Sequence, residues 1–262
     1  MDTAWDWAIR VLVSAPLGLV FGSFLTVAIH RLPRGESLIS PRSRCPSCGI
    51  QIRSRDNVPV VSWIVLRGRC RACGARISPV YPLTELAVAG LFVAAALRFG
   101  DVWVAGMMAP FLGVMPAFAL IDLRHRIIPN RLVYPSLVLF AAYLVVARLA
   151  GGGVDLARAG LGFLAFGGGL LLIALISPRG MGMGDVKLAG LIGFVLGSLG
   201  LRFVGVAAGS AILLGGVGGI LALVAGAGRK QAIPFGPFLA AGALIAALFG
   251  AELASAYLRL VG

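Results

Sequence analysis

Apolar runs separated by short polar connections make up most of the chain. Uninterrupted or nearly uninterrupted hydrophobic positions fall at roughly 8–29, 83–99, 102–122, 132–149, 159–177, 185–199, 203–226 and 237–258. About 20 apolar residues in a helix cross ~30 Å of hydrocarbon, so the pattern predicts about eight transmembrane helices. The sixth run is short, and polar or glycine positions interrupt the fourth and fifth. One stretch breaks the rhythm: residues 30–82 are polar and rich in arginine, and predict a loop domain outside the bilayer. The chain thus divides into a first membrane helix at 1–29, the loop at 30–82 and a helical membrane region at 83–262. The first run follows Met1-Asp2-Thr3-Ala4-Trp5-Asp6, acidic where a cleaved signal would be basic, and is expected to be retained.

Composition strengthens this reading. Hydrophobic residues reach 59% and charged residues only 13%, against ~45–50% and ~25% in ordinary soluble domains. A mean hydropathy of +0.97 over the whole chain cannot be hidden in one core. A disordered chain is poor in apolar residues, and four cysteines in 262 residues are too few for a disulfide scaffold. The expected fold class is an all-α polytopic membrane protein.

The formal charge of +13 is unevenly placed. Ten arginines in 30–82, with Arg124, Arg126, Arg131, Arg179, Lys187, Arg229 and Lys230, put seventeen cations on one set of connections. The other set receives six: Arg10, Arg98, Arg148, Arg158, Arg202 and Arg259. The richer side is expected to face the cytoplasm and to attract anionic headgroups. No basic stripe with interleaved aromatics lies on a soluble domain, which argues against a nucleic-acid partner.

The loop carries Cys45-Pro46-Ser47-Cys48-Gly49 and Cys70-Arg71-Ala72-Cys73-Gly74, with twenty-one residues between the two pairs. Two residues between thiolates let both sulfurs face one ion, and four sulfurs complete a closed tetrahedral shell. A structural zinc site on Cys45, Cys48, Cys70 and Cys73 is the expectation. Two disulfides or free thiols are the alternatives, and a reducing cytoplasmic face favours metal. A loop with so little core would draw much of its folding energy from the ion. Asp56-Asn57-Val58-Pro59 reads as a turn, Trp63 is expected to pack on the ribbon, and His30 reads as an interfacial anchor.

Of the ten acids, Glu85, Asp122 and Asp185 fall within or at the ends of apolar runs on the cation-rich side. A carboxylate near the bilayer centre costs ~2.5–3.5 kcal/mol on insertion scales, so such residues normally have a task. Asp122 closes the third run, and Asp185 opens the sixth in Gly182-Met183-Gly184-Asp185. Two carboxylates at one level can share a proton, because like charges a few ångströms apart resist double ionisation. The ionised partner then activates water while the neutral one donates to a carbonyl, which is the chemistry of peptide hydrolysis. Gly182 and Gly184 would let an extended peptide approach the backbone closely, beside Lys187. The bland alternative pairs Asp122 with Arg124 and Asp185 with Lys187. A proton relay in a transporter, with the ribbon as a docking module, also fits paired acids.

Taken in order, these segments resemble the type IV prepilin peptidase family, the bifunctional prepilin leader peptidase/N-methyltransferases. The likeness is carried by Gly22-Ser23-Phe24-Leu25 to His30-Arg31-Leu32-Pro33, the two cysteine pairs, Asp56-Asn57-Val58-Pro59, Ser62-Trp63 and Leu66-Arg67-Gly68-Arg69-Cys70. It continues through Tyr81-Pro82-Leu83-Thr84-Glu85, Ile128-Pro129-Asn130, Gly182 to Lys187 and Ile233-Pro234-Phe235-Gly236-Pro237-Phe238. The resemblance implies a GxGD-type aspartic protease of the bacterial inner membrane, with Asp122 and Asp185 matching the catalytic pair and the four cysteines the metal ligands. It implies prepilin or pseudopilin substrates, cut after a glycine at the cytoplasmic face. It further implies methylation of the new N-terminal amine from S-adenosylmethionine, with Glu85 a candidate for holding that amine. A peptidase without the transferase is the nearest alternative. Arg124 stands where some relatives carry a second acid, and Asn130 where many have Asp, a change expected to be tolerated.

Overall fold

The computed structural model describes residues 4–177, 181–226 and 233–261. Arg179, Arg229 and Lys230, used above for orientation, lie outside the described residues, as do Met1, Asp2 and Thr3. Every predicted apolar run is helical. The long helices are α1 (Ala4–Arg31), α3 (Val80–Arg98), α4 (Val102–His125), α5 (Asn130–Leu149), α9 (Leu201–Val224) and α10 (Gly236–Val261), with α2 (Val61–Val65) a short turn inside the loop. The fifth run is one continuous rod of α6 (Leu156–Gly162), a π-helical segment at Phe163–Gly168 and α7 (Gly169–Ile176). The sixth is α8 (Met183–Gly197).

Among the described residues seven helical segments are long and apolar enough to cross a membrane, and the chain is a multi-pass membrane protein. The exception is α8. Its 15 residues rise only ~22 Å at 1.5 Å each. The reason is visible in its surroundings: Leu188, Ala189, Leu191, Ile192, Val195 and Leu196 are all fully buried, so protein rather than lipid encloses it. Small residues set how closely it is held. A Cβ added at Gly193 would lie 2.2 Å from the carbonyl oxygen of Gly162, so α8 and α6 meet backbone to backbone, as small residues allow between membrane helices.

Helix α4 forms the other half of the core. Met107, Met108, Phe111, Leu112, Met115, Phe118 and Ile121 are fully buried on it, and α1, α3 and α10 pack around it. At one end of the array Asp101 caps α4, accepting from the N–H groups of Trp103 (2.7 Å) and Val104 (3.1 Å), and takes the Gly153 N–H at 2.8 Å. Those amides, Gly153 first, hold its carboxyl below the usual carboxylate range. Asp155 caps α6 at the same end, and its own N–H donates to the Ser198 carbonyl just beyond α8 at 3.0 Å. Among the described residues the loop 32–79 contains no strand, only isolated bridges at Arg44–Gln51 and Arg69–Arg76.

Candidate active site

Asp122 lies in the last turn of α4 and is buried, 5% exposed. The helix closes directly after it. Arg126 takes a left-handed conformation (φ 54°) and donates its N–H to the Asp122 carbonyl at 2.8 Å. Ile127, Ile128 and Pro129 then lead into α5, whose first residue is Asn130. The carboxylate faces the start of α10, where the Gly236 N–H donates to Asp122 Oδ2 at 2.9 Å. A Cβ at position 236 would sit 2.7 Å from that oxygen, so only glycine lets the helix start approach so closely. This use of the Ile233-Pro234-Phe235-Gly236 segment was not anticipated from sequence, because the partner is 114 positions away.

Asp185 stands in the first turn of α8, with Gly182 as the residue before the helix. It is half-buried, and its N–H donates to the Gly182 carbonyl at 3.1 Å. Two contacts fasten its segment to the one that follows Asp122. The face of Gly184 lies on Ile128, where an added Cβ would come within 3.0 Å of the isoleucine Cβ. Lys187 Nζ donates to Asn130 Oδ1 at 3.0 Å and stands 5.4 Å from the centre of the Tyr134 ring. Both aspartates therefore border the seam between α8 and the segment that follows α4.

These contacts set aside the alternative pairing and give two further residues partners in the fold. Gly184 packs against Ile128. Lys187 is committed to Asn130 and Tyr134 and does not pair with Asp185. Among the described residues neither Asp122 nor Asp185 has an ion-pair partner, so the pairing with Arg124 and Lys187 is not realised.

The cysteine loop folds as two matching knuckles. Cys45 donates its N–H to Ile50 and accepts from Gly49, and Cys70 repeats the pattern with Ala75 and Gly74. Gly49 (φ 72°) and Gly74 (φ 70°) supply the left-handed turns. All four sulfurs lie within 4.8 Å of one another, and Cys45 Sγ is 3.9 Å from Cys73 Sγ. Tetrahedral thiolates at Zn–S ≈ 2.3 Å stand about 3.8 Å apart, so the donor set and spacing fit an ion, and the cluster could hold a metal. The amides of Cys48 and Ser47 pull the Cys45 thiol down to about 6, which favours the thiolate that a metal needs. Trp63 packs in the ribbon as expected, donating Nε1–H to the Ile77 carbonyl at 3.1 Å with its ring against Gly68. Asp56 is held well below the usual carboxylate range by the Arg71 guanidinium 2.7 Å away.

Glu85 is buried near the start of α3 and does not pair with an arginine of the ribbon, the partner a structural role would have suggested. Its Oε2 accepts the Val60 N–H at 2.7 Å.

Residues 111–256 match the Type IV leader peptidase family, and residues 17–99 match the Bacterial Peptidase A24 N-terminal domain. The chain belongs to the type IV leader peptidase family. It is 36% identical over 244 residues to the prepilin leader peptidase/N-methyltransferase of Bacillus subtilis, covering 93% of this chain and 96% of that one. It is 35% identical to the protein of the same name from Stutzerimonas stutzeri, covering 95% and 94%, and 34% identical to that of Pseudomonas aeruginosa, covering 96% and 94%. No solved structure matches the chain. The first match ends just past α3 and the second begins within α4, so Glu85 and the cysteines fall in one and the two aspartates in the other.

Proposed function

We propose that this chain removes the leader peptide from type IV prepilins or pseudopilins at the cytoplasmic face of the inner membrane, with Asp122 and Asp185 as the catalytic pair, and methylates the amine so exposed. The reading is supported by one observation: two carboxylates from helices distant in sequence border one seam at one end of the array, and among the described residues neither has a cationic partner. The relatives' shared name supports the reaction class, and the seventeen cations on the same set of connections support the orientation.

In this scheme one carboxyl is protonated and the other ionised. The ionised group takes a proton from a water, whose oxygen attacks the scissile carbonyl, and the protonated group donates to the carbonyl oxygen. The Gly236 N–H fixes Asp122 Oδ2 as an acceptor and leaves Oδ1 for the water or its partner. The two glycines divide the remaining work: Gly184 seats α8 on Ile128, and the exposed Gly182 leaves room beside Asp185 for a substrate backbone. Cys45, Cys48, Cys70 and Cys73 would hold a structural Zn²⁺ that stabilises the ribbon, and S-adenosylmethionine would supply the methyl group.

The test is cleavage of a purified prepilin by the full chain in detergent or nanodiscs, followed by mass analysis of the mature product. Cleavage should vanish in Asp122→Asn and in Asp185→Asn while both variants stay folded. Its rate should follow a bell-shaped pH profile, reporting the macroscopic values of the pair. A monotonic profile, or full cleavage in either variant, would overturn the assignment. Metal analysis of the purified chain should find about one zinc per molecule, as a single shell of four thiolates requires.

A further inference from the structure

Asp122 and Asp185 are held in place by different means. The carboxylate of Asp122 is aimed by α4 and by the Gly236 N–H on its Oδ2. That of Asp185 is aimed by how the start of α8 sits on the segment after α4, and two contacts of unlike kind decide this. Gly184 against Ile128 is apolar; it brings the two segments close but offers a smooth face on which α8 can turn. Lys187 Nζ on Asn130 Oδ1, at 3.0 Å, is directional.

Three features mark the second contact as a clasp. Lys187 lies two positions past Asp185, ~200° around a helix of 3.6 residues per turn, so the two side chains leave α8 on different faces. The lysine therefore reaches α5 rather than the carboxylate. Its receptor has two parts: Asn130 and Tyr134 are four positions apart on α5 and share one face. The amide gives the acceptor, and the ring, whose centre is 5.4 Å from Nζ, adds a second attraction. That receptor is also firmly placed. Leu132 and Val133 beside it are buried, and their N–H groups donate to the Pro129 carbonyl at 2.9 and 3.1 Å. Farther along α5, Phe140 meets Phe111 of α4 edge to face. Among the described residues Lys187 forms no ion pair. A strongly hydrated ammonium spent on a neutral amide serves geometry, not neutralisation.

Resting on the peptidase reading above, we propose that Lys187 is a positioning residue, whose clasp on Asn130 and Tyr134 fixes the rotation of the start of α8 and so the aim of Asp185 across the seam toward Asp122. In this role Lys187 touches neither the substrate nor the attacking water. It acts through the carboxylate it orients, so its loss lowers the rate of the chemical step and leaves substrate affinity alone. A misplacement of about 1 Å can cost about 100-fold in rate, and with Gly184 still seated the loss here is smaller.

The test measures kcat and KM per folded molecule on an intact prepilin, with the full chain in nanodiscs. Lys187→Met should lower kcat by about tenfold or more with KM unchanged. Asn130→Leu keeps the lysine charge but removes its acceptor, and should lower kcat to the same extent. The double variant should lose no more than either single one, because both break one contact. Lys187→Arg keeps a donor and a cation for the ring, and should retain most of the rate. Wild-type kcat in Asn130→Leu, fully additive losses, or a raised KM at unchanged kcat would each overturn the clasp; the last would place Lys187 on the substrate instead. Should Lys187→Met fail to fold, Asn130→Leu alone decides. These outcomes leave the peptidase reading intact so long as Asp122→Asn abolishes cleavage. A wild-type chain that does not cleave, or an Asp122→Asn variant that does, would overturn that reading and the clasp with it.

Discussion

The two ends of the helical array treat carboxylates in opposite ways. At one end Asp101, Asp155 and Glu252 are spent on structure: the first two cap helices, and Glu252 accepts from Arg98 at 2.6 Å. At the other end, among the described residues, Asp122 and Asp185 have no cation, and Asp122 accepts a backbone amide from Gly236. A buried charge is normally paired or neutralised because desolvation is expensive. Leaving two such groups under-satisfied at one end of the array gives up stability, and this is the usual mark of a site that does chemistry.

Substitutions at the two ends should therefore separate activity from stability. The largest effect belongs to the aspartate pair: Asp122→Asn or Asp185→Asn should lower leader cleavage by about 100-fold or more, with little loss of thermal stability by unfolding in detergent. Next is Gly236→Ala. Its Cβ must displace the Asp122 carboxylate, and a misplacement on the order of 1 Å can cost about 100-fold in rate, read as kcat on a model prepilin. At the opposite end Asp101→Ala should leave cleavage per folded molecule intact but cost about 1 kcal/mol of stability through the lost cap.

That stability term also has a pH signature. The carboxyl of Asp101 is held below its unfolded value by the Gly153, Val104 and Trp103 amides. Its contribution is therefore complete above the ordinary value of ~3.9 and is lost as pH falls through the folded one. The melting-temperature gap between wild type and Asp101→Asn should narrow in acid, and a gap that widened there would contradict the cap assignment. The smallest effect is Arg98→Ala. Its ion pair with Glu252 is 37% and 60% exposed, and exposed pairs contribute about 0–1 kcal/mol.

Much of this was legible in the sequence, for physical reasons that differ by element. Hydropathy located every long helix, because a lipid-facing segment must be apolar along its length. It overstated α8, whose apolar character reflects burial in protein; periodicity alone does not distinguish the two environments. The cysteines were readable from spacing, since both ligands of a pair sit on one tight turn. Asp122 and Asp185 stood out because charge is rare in apolar runs. What the sequence concealed were contacts between a side chain and a distant backbone group. The Gly236 amide on Asp122, the Val60 amide on Glu85 and the seat of Gly184 on Ile128 leave no trace in residue type, beyond a glycine or a proline that could have served many other purposes.

The shortness of α8 has a further meaning. Its far terminus is tied where the Asp155 N–H meets the Ser198 carbonyl, and its rise falls ~8 Å short of a ~30 Å hydrocarbon layer. An oily slab is a poor place to break a bond with water. In the proposed mechanism, a helix that stops early beside Asp185 would let bulk solvent reach the carboxylates, so that the reactant would not have to enter lipid.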